Sequence, residues 1–276
     1  MYPTVYLNGQ YLPKEKATLN VTDLSILRGF GIFDYFRYAN GNPRFIEDHL
    51  DRFLSSAKLL DLEMPVSREE LRTTVHELIK RNGEEEGGIR FVLTGGYSPD
   101  GYTPTTPNLV AMAYPFKGPS AEQYERGMAI HLHHYERQLP KVKSIDYLEG
   151  IRIQPLLKAK GADYALYVDR EYNVRESDRS NFMIVREGIL ITPVESILHG
   201  ITRLHLLQLA RQLGISVDER AVSVNELKQA DEAIICSSIK GAMAITTVDE
   251  VLIGDGKPGP VTRRIMEAWD GYCASN

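Results

Sequence analysis

Two Asn-Gly pairs, Asn8-Gly9 and Asn40-Gly41, each separate runs of aromatic and β-branched residues: VYL from YL, and FDYFRYA from NPRFI. Asn and Gly tolerate the positive φ values that a two-residue hairpin turn requires, so both segments are predicted to fold back as antiparallel strands. Strands that reverse directly do not belong to a sheet built only from parallel crossovers. Helices are nevertheless interleaved with them. Leu50, Phe53, Leu54, Ala57 and Leu60 recur at helical spacing and predict an amphipathic helix over 47–60. Ser67 followed by Glu70 reads as a capping box opening a second helix that stops near Asn82 and Gly83. Strands and helices mixed without strict βαβ alternation place the chain in the α+β class.

The 276 residues suffice for one large domain or two modest ones. After the strand IRFVLTGG, the Gly, Pro and Thr-rich stretch GGYSPDGYTPTTP reads as a loop, and NLVAMAY as a further strand. FKGPSAEQYERG is the one clear shift in composition, so the expected division is a domain over 1–115, a linker over 116–121 and a second domain over 122–276. The second part is predicted to run from a strand at Met128–Tyr135 through a lysine-bearing loop to a helix over Tyr147–Lys160, which Pro155 should kink or end. Two hairpins over 164–193, a helix over 202–213, a capped helix from Ser223, the strand ADEAIICSS, a hairpin around IGDGKPG and a last helix from Pro260 follow. No internal repeat is present.

A net charge of −5 without a basic run argues against nucleic acid as a partner, because phosphate neutralisation needs clustered Lys and Arg. No apolar stretch reaches the ~20 residues that span a bilayer, and the polar start MYPTVYLNGQ does not resemble a signal peptide, so a cytoplasmic protein without membrane contact is expected. Two cysteines cannot build a disulfide framework, and Cys236 in AIICSS reads as a buried residue. His131, His133 and His134 read as a polar strand face rather than a metal site.

Four segments carry more chemistry together than singly: LPKVKSIDYL with Lys143, VRESDRSNF with Glu176, ILHGITR with Gly200 to Arg203, and SSIKG with Ser238 and Ile239. In this order, with EDHLDRF upstream and IGDGKPGPVTRR downstream, they resemble the class IV aminotransferases, the fold-type IV pyridoxal-phosphate enzymes, over nearly the whole chain. The resemblance implies a smaller N-terminal α/β domain, a larger C-terminal pseudo-barrel domain, and pyridoxal 5'-phosphate as cofactor. Such a cofactor needs a lysine amine to form its imine, an acid to keep its ring nitrogen protonated, and donors for a dianionic phosphate. The resemblance assigns these to Lys143, which then serves as general acid and base, and to Glu176. For the phosphate it implies the helix-start amides of Ile201 and Thr202, the turn of Ser238 and Ile239, and Arg52. Read alone, Lys143 beside Lys141 would be a surface charge, Glu176 an exposed strand residue, Thr202 an ordinary cap and Arg52 a surface arginine. Tyr147 either hydrogen-bonds the cofactor ring hydroxyl or packs as a core aromatic.

On the substrate side the sequence departs from its relatives. Familiar D-amino acid transaminases hold the α-carboxylate with an arginine in a TRG segment, where this chain has TGG and Gly95. Arg28 in LSILRGFGIF, Arg90 in IRFVLTGG and Arg179 in VRESDRSNF are expected to replace it, since a charge beside a cofactor is costly unless it meets an anion. Alternatively they pair with local acids such as Asp178 or Asp34. The nearest resemblance is to the newer D-amino acid transaminases lacking the TRG arginine, with 2-oxo acid acceptors such as 2-oxoglutarate. A branched-chain L-amino acid transaminase, an aminodeoxychorismate lyase and a family member that binds without turnover are the other readings. In this family the N-terminal domain of one subunit completes the other's site, so the resemblance implies a homodimer with Arg28 acting across it.

Overall fold

A computed structural model describes residues 1–275. The chain divides into two compact units: residues 1–117 with 142–146, and residues 118–141 with 147–275. The division is discontinuous where a single break near 116–121 was expected, because the short segment carrying Lys143 joins the first unit.

The first unit contains β1 (Thr4–Leu7), β2 (Gln10–Pro13), α1 (Leu24–Arg28), β3 (Gly31–Ala39), β4 (Asn42–Pro43), α2 (Ile46–Leu59), α3 (Arg68–Asn82), β5 (Gly87–Thr94) and β6 (Leu109–Tyr114). Its six strands form one antiparallel sheet in the order β2-β1-β6-β5-β3-β4. Both Asn-Gly pairs turn hairpins as predicted, with φ of 47° and 88° at Asn8 and Gly9 and 51° and 72° at Asn40 and Gly41. The Ser67–Glu70 capping box opens α3, and Gly83 closes it in the left-handed conformation. Leu50, Phe53 and Ala57 of α2 and Leu71, Val75 and Leu78 of α3 share one core with Phe36, Ile89 and Phe91 of the sheet. Against the start of β3 lies the segment 142–146: Phe33 N donates to Lys143 O at 2.9 Å and Ile145 N to Gly31 O at 3.1 Å. Any side chain at Gly31 would meet Leu93 O at 2.7 Å and Ile145 Cδ1 at 3.1 Å, so the close approach needs glycine there.

The second unit contains α4 (Ala121–Arg126), β7 (Met128–His134), α5 (Leu148–Arg152), α6 (Gln154–Lys160), β8 (Tyr164–Val168), β9 (Asn173–Val174), β10 (Asn181–Arg186), β11 (Ile189–Thr192), α7 (Ile201–Gln212), β12 (Val217–Glu219), β13 (Val222–Ser223), α8 (Val224–Lys228), β14 (Glu232–Ser237), β15 (Gly241–Val248), β16 (Val251–Leu252) and α9 (Pro260–Ser275). A ten-stranded mixed sheet runs β12-β11-β10-β14-β15-β7-β8-β9-β13, with β16 paired to β15. The architecture is α+β, two sheets in two units. Phe182, Ile184, Ile235, Met243 and Ile245 centre the second core.

One expectation is met in part and one needs correction. The helix predicted over 147–160 is broken at Ile153 into α5 and α6, and Pro155, which has no N–H to continue the ladder, lies in the first turn of α6. The last hairpin turns at Asp249 and Glu250 rather than around IGDGKPG, because Val248 pairs with Val251 and Asp249 takes φ 51°. Of the histidines, His131 meets Asp249 at 2.8 Å and His133 meets Glu149 at 2.5 Å, carboxylates far away in the chain. Among the described residues no helix is long and apolar enough to cross a membrane.

Candidate active site

In the first unit, Lys143 is fixed by its backbone. Its N–H donates to Ser56 Oγ at 3.2 Å, its C=O accepts from Phe33, and its Nζ stands 4.5 Å from the centre of the Phe33 ring. Arg90 lies over the same ring at 5.3 Å, flanked by Tyr114 at 5.6 Å and Tyr35 at 6.0 Å. Arg90 and Lys143 thus share the Phe33 ring as a common neighbour. Arg90 is exposed and meets no carboxylate among the described residues. Arg28, at the end of α1, is likewise exposed; its side chain donates from Nη1 to Leu27 O at 2.9 Å. The short α1 is held by buried Asp23, which caps it through Ser25 N and accepts from Thr94 Oγ1 and Asn108 Nδ2 at 2.8 Å each. Gly95, where the TRG arginine would stand, is closed: a Cβ there would meet Phe30 Cδ1 at 2.6 Å and Leu24 Cδ1 at 3.0 Å.

One turn before Ser56 on α2, Arg52 is mostly buried and faces fully buried Asp34, with Nε on Oδ2 at 2.8 Å and Nη2 on Oδ1 at 2.7 Å. His49 Nδ1 lies 2.7 Å from Oδ1 of the same carboxylate. Burial alone would raise the Asp34 carboxyl, but Arg52 and His49 outweigh it and hold it far below the usual range. Nη1 of Arg52 has no hydrogen-bond partner among the described residues.

In the second unit the other three motifs meet through side chains. Glu176 is buried, accepting from Arg137 Nη1 at 2.8 Å, Leu198 N at 3.0 Å and Asn181 Nδ2 at 3.4 Å. Asn181 also donates to Leu198 O at 2.9 Å, and its Oδ1 fills the space in which a Cβ on Gly200 would stand, 2.0 Å away. Gly200 is the N-cap of α7 and offers no side-chain acceptor, so the first amides of the helix, Ile201 and Thr202, carry no cap. Ser238 and Ile239 turn β14 into β15, with Ser237 paired to Gly241. Next to them, Lys240 folds inward: it is 5% exposed, its Nζ donates to Ser180 Oγ at 2.9 Å, and it lies 4.0 Å over the Tyr164 ring. Burial lowers its amine to about 8, reinforced by Arg179. Charge patterning alone places a lysine in a Ser-Ile-Lys-Gly turn at the surface, and only the inward Ser180 hydroxyl marks it otherwise.

Tyr147 precedes α5 and is half-buried; burial first, then the Asp178 carboxylate, pushes its phenol up to about 12, and Arg137, Arg179 and Glu176 also act on it. Arg179 is exposed, pairs with Asp178 at 3.3 Å and lies over Tyr164 at 5.3 Å, so its charge is already partly met by a local acid. Asp34, the other acid considered, is taken by Arg52.

Each unit thus offers what the expected cofactor needs of it. The first carries a fixed lysine and an arginine with an unused terminal nitrogen. The second carries a carboxylate held by several hydrogen bonds beside an uncapped helix start. The donor set fits an anionic phosphate and a basic ring nitrogen.

A family model described as amino-transferase class IV matches residues 31–248. The D-alanine aminotransferase of Bacillus licheniformis is 29% identical over 269 residues, covering 96% of this chain and 95% of that protein. That of Staphylococcus haemolyticus is 30% identical over 278 residues, covering 98% of each. Among solved structures, a branched-chain amino acid aminotransferase with pyridoxamine 5'-phosphate, from the organism abbreviated T.th., superposes with a TM-score of 0.94 at 25% identity, covering 100% of this chain and 96% of that one. The branched-chain aminotransferase of Thermoproteus uzoniensis with norvaline gives 0.90 at 29% identity, covering 100% and 96%.

Proposed function

The chain belongs to the class IV aminotransferases, enzymes that work with pyridoxal 5'-phosphate, and from that premise we propose that it transfers the amino group of D-amino acids such as D-alanine or D-glutamate to 2-oxo acids such as 2-oxoglutarate or pyruvate. One observation carries the substrate reading: Gly95 is sealed by Phe30 and Leu24, while Arg28 and Arg90 stand exposed with no carboxylate to meet among the described residues. An arginine cannot occupy position 95 as packed. The α-carboxylate is therefore assigned to Arg90, beside the same Phe33 ring as Lys143, and to Arg28. Arg179 stands as the third member, in competition with Asp178.

When bound, the cofactor supplies the electron sink that makes the substrate α-proton acidic. Lys143 Nζ takes and returns that proton, and the Ser56 and Phe33 hydrogen bonds to its backbone keep the amine in place. Glu176, oriented by Arg137, Asn181 and the Leu198 amide, holds the proton on the ring nitrogen. Tyr147 is assigned the ring hydroxyl. Arg52, the Ile201 and Thr202 amides and the Ser238–Ile239 turn hold the phosphate. Donor and acceptor use these groups in turn, so one carboxylate-binding set serves both. A homodimer in the cytoplasm, with Arg28 completing the partner's site, belongs to the same proposal.

The second reading is a branched-chain L-amino acid transaminase. Phe33, Tyr35 and Tyr114 around Arg90 favour it, since an aromatic lining also suits apolar side chains. Steady-state kinetics of Arg28→Ala, Arg90→Ala and Arg179→Ala test the first: the Michaelis constants for D-glutamate and 2-oxoglutarate should rise at least for Arg90→Ala and Arg28→Ala. Unchanged constants in all three would overturn it.

A further inference from the structure

Strand β3 alternates, and its inward face carries Ile32, Phe36 and Tyr38, all fully buried beneath α2. Asp34 stands on that apolar face with no exposure at all. A carboxylate so placed is costly unless its oxygens are satisfied. Here Oδ1 accepts from His49 Nδ1, Arg52 Nη2 and Tyr35 N, each at 2.7 Å, and Oδ2 from Arg52 Nε at 2.8 Å. His49 is fully enclosed and burial holds its imidazole below the ordinary value, so it stays neutral and donates from Nδ1. The carboxylate thus grips one edge of the guanidinium and leaves Nη1 over. His49, Arg52 and Ser56 lie on one face of α2, and Ser56 Oγ receives the Lys143 amide at 3.2 Å. The same helix face that orients the arginine also fixes the lysine backbone.

We propose that Asp34, supported by His49, is a positioning residue for the cofactor phosphate: by binding the Nε–Nη2 edge of Arg52 it turns Nη1 to the anion, in register with Lys143. The inference rests on Arg52 being the phosphate arginine, and its test separates the two. Dissociation constants of pyridoxal phosphate and of pyridoxal, which lacks the phosphate, are measured by equilibrium dialysis from the holoenzyme for Asp34→Asn, Arg52→Gln and the double variant.

Asp34→Asn should weaken pyridoxal phosphate about tenfold or more and leave pyridoxal within about twofold. Arg52→Gln should do at least as much, and the double variant should be no weaker than Arg52→Gln alone. Equal weakening of both ligands, no weakening of either, or full additivity in the double variant would overturn the positioning role. Unchanged phosphate affinity in Arg52→Gln would instead overturn the assignment of Arg52. Should Asp34→Asn fail to fold, His49→Gln removes one of the hydrogen bonds without changing charge. It should weaken pyridoxal phosphate about threefold with pyridoxal unmoved, and no effect there would contradict the proposal.

Discussion

A carboxylate that must hold a proton on a ring nitrogen works only if it stays ionised and does not wander. Glu176, proposed for that role, is held in place by a guanidinium, an amide side chain and a backbone amide. Glu176→Gln should lower kcat by about 10²–10³ while changing the Michaelis constants little, because the missing charge matters most in the transition state. Pre-steady-state kinetics of the amino half-reaction check this. Lys240 gives a prediction with a definite sign. Its amine titrates at about 8, below the ordinary lysine value, so between those two pH values the unfolded chain binds the extra proton and folding stability rises with pH. Lys240→Met, which keeps the length without the charge, should therefore melt higher than the natural chain at pH 7, and the difference should shrink as pH rises above about 8. Residue identity alone misplaces this lysine, whereas Lys143, Glu176 and Arg52 are proposed for the site from their neighbours in sequence. The difference is physical: Lys240 is buried by Ser180 and Tyr164, which are distant in the chain.

Local rules predict the hairpins at Asn8-Gly9 and Asn40-Gly41 and the cap at Ser67 because each needs only residues in immediate succession. They miss the turn at Asp249 and Glu250, which carries no glycine and is set by the pairing of β15 with β16. They also miss Gly200's partner. Gly200→Ala would drive a methyl into Asn181 Oδ1, and since Asn181 supports both Leu198 and Glu176, the helix start and the carboxylate should shift together. Titration of cofactor binding should show a loss of about tenfold or more, with a melting temperature lowered only modestly. The short α1 poses the complementary case. Asp23 ties it to Thr94 and Asn108, so Asp23→Ala should free Arg28 and raise the Michaelis constants for carboxylate substrates more than it lowers kcat.

The net charge of −5 describes an acidic chain, yet the charged residues proposed for the site are mostly cationic: Lys143, Arg28, Arg52, Arg90 and Arg179 against Glu176. The overall count conceals that balance. A shift in composition marks a break near 116–121, whereas the return of residues 142–146 to the first unit leaves no such signal, because it depends on hydrogen bonds to Gly31 and Phe33. On the proposed function, the stereochemistry of the substrate depends on how Arg28 and Arg90 stand relative to Lys143. The central claim is therefore tested by mixing the holoenzyme with D- and L-alanine, D- and L-glutamate and D- and L-leucine, one at a time, and following the loss of the cofactor's visible absorbance band. Rapid loss with D-alanine and D-glutamate and slow loss with every L-amino acid are expected; faster reaction of the L-series, L-leucine above all, would contradict the D-amino acid assignment.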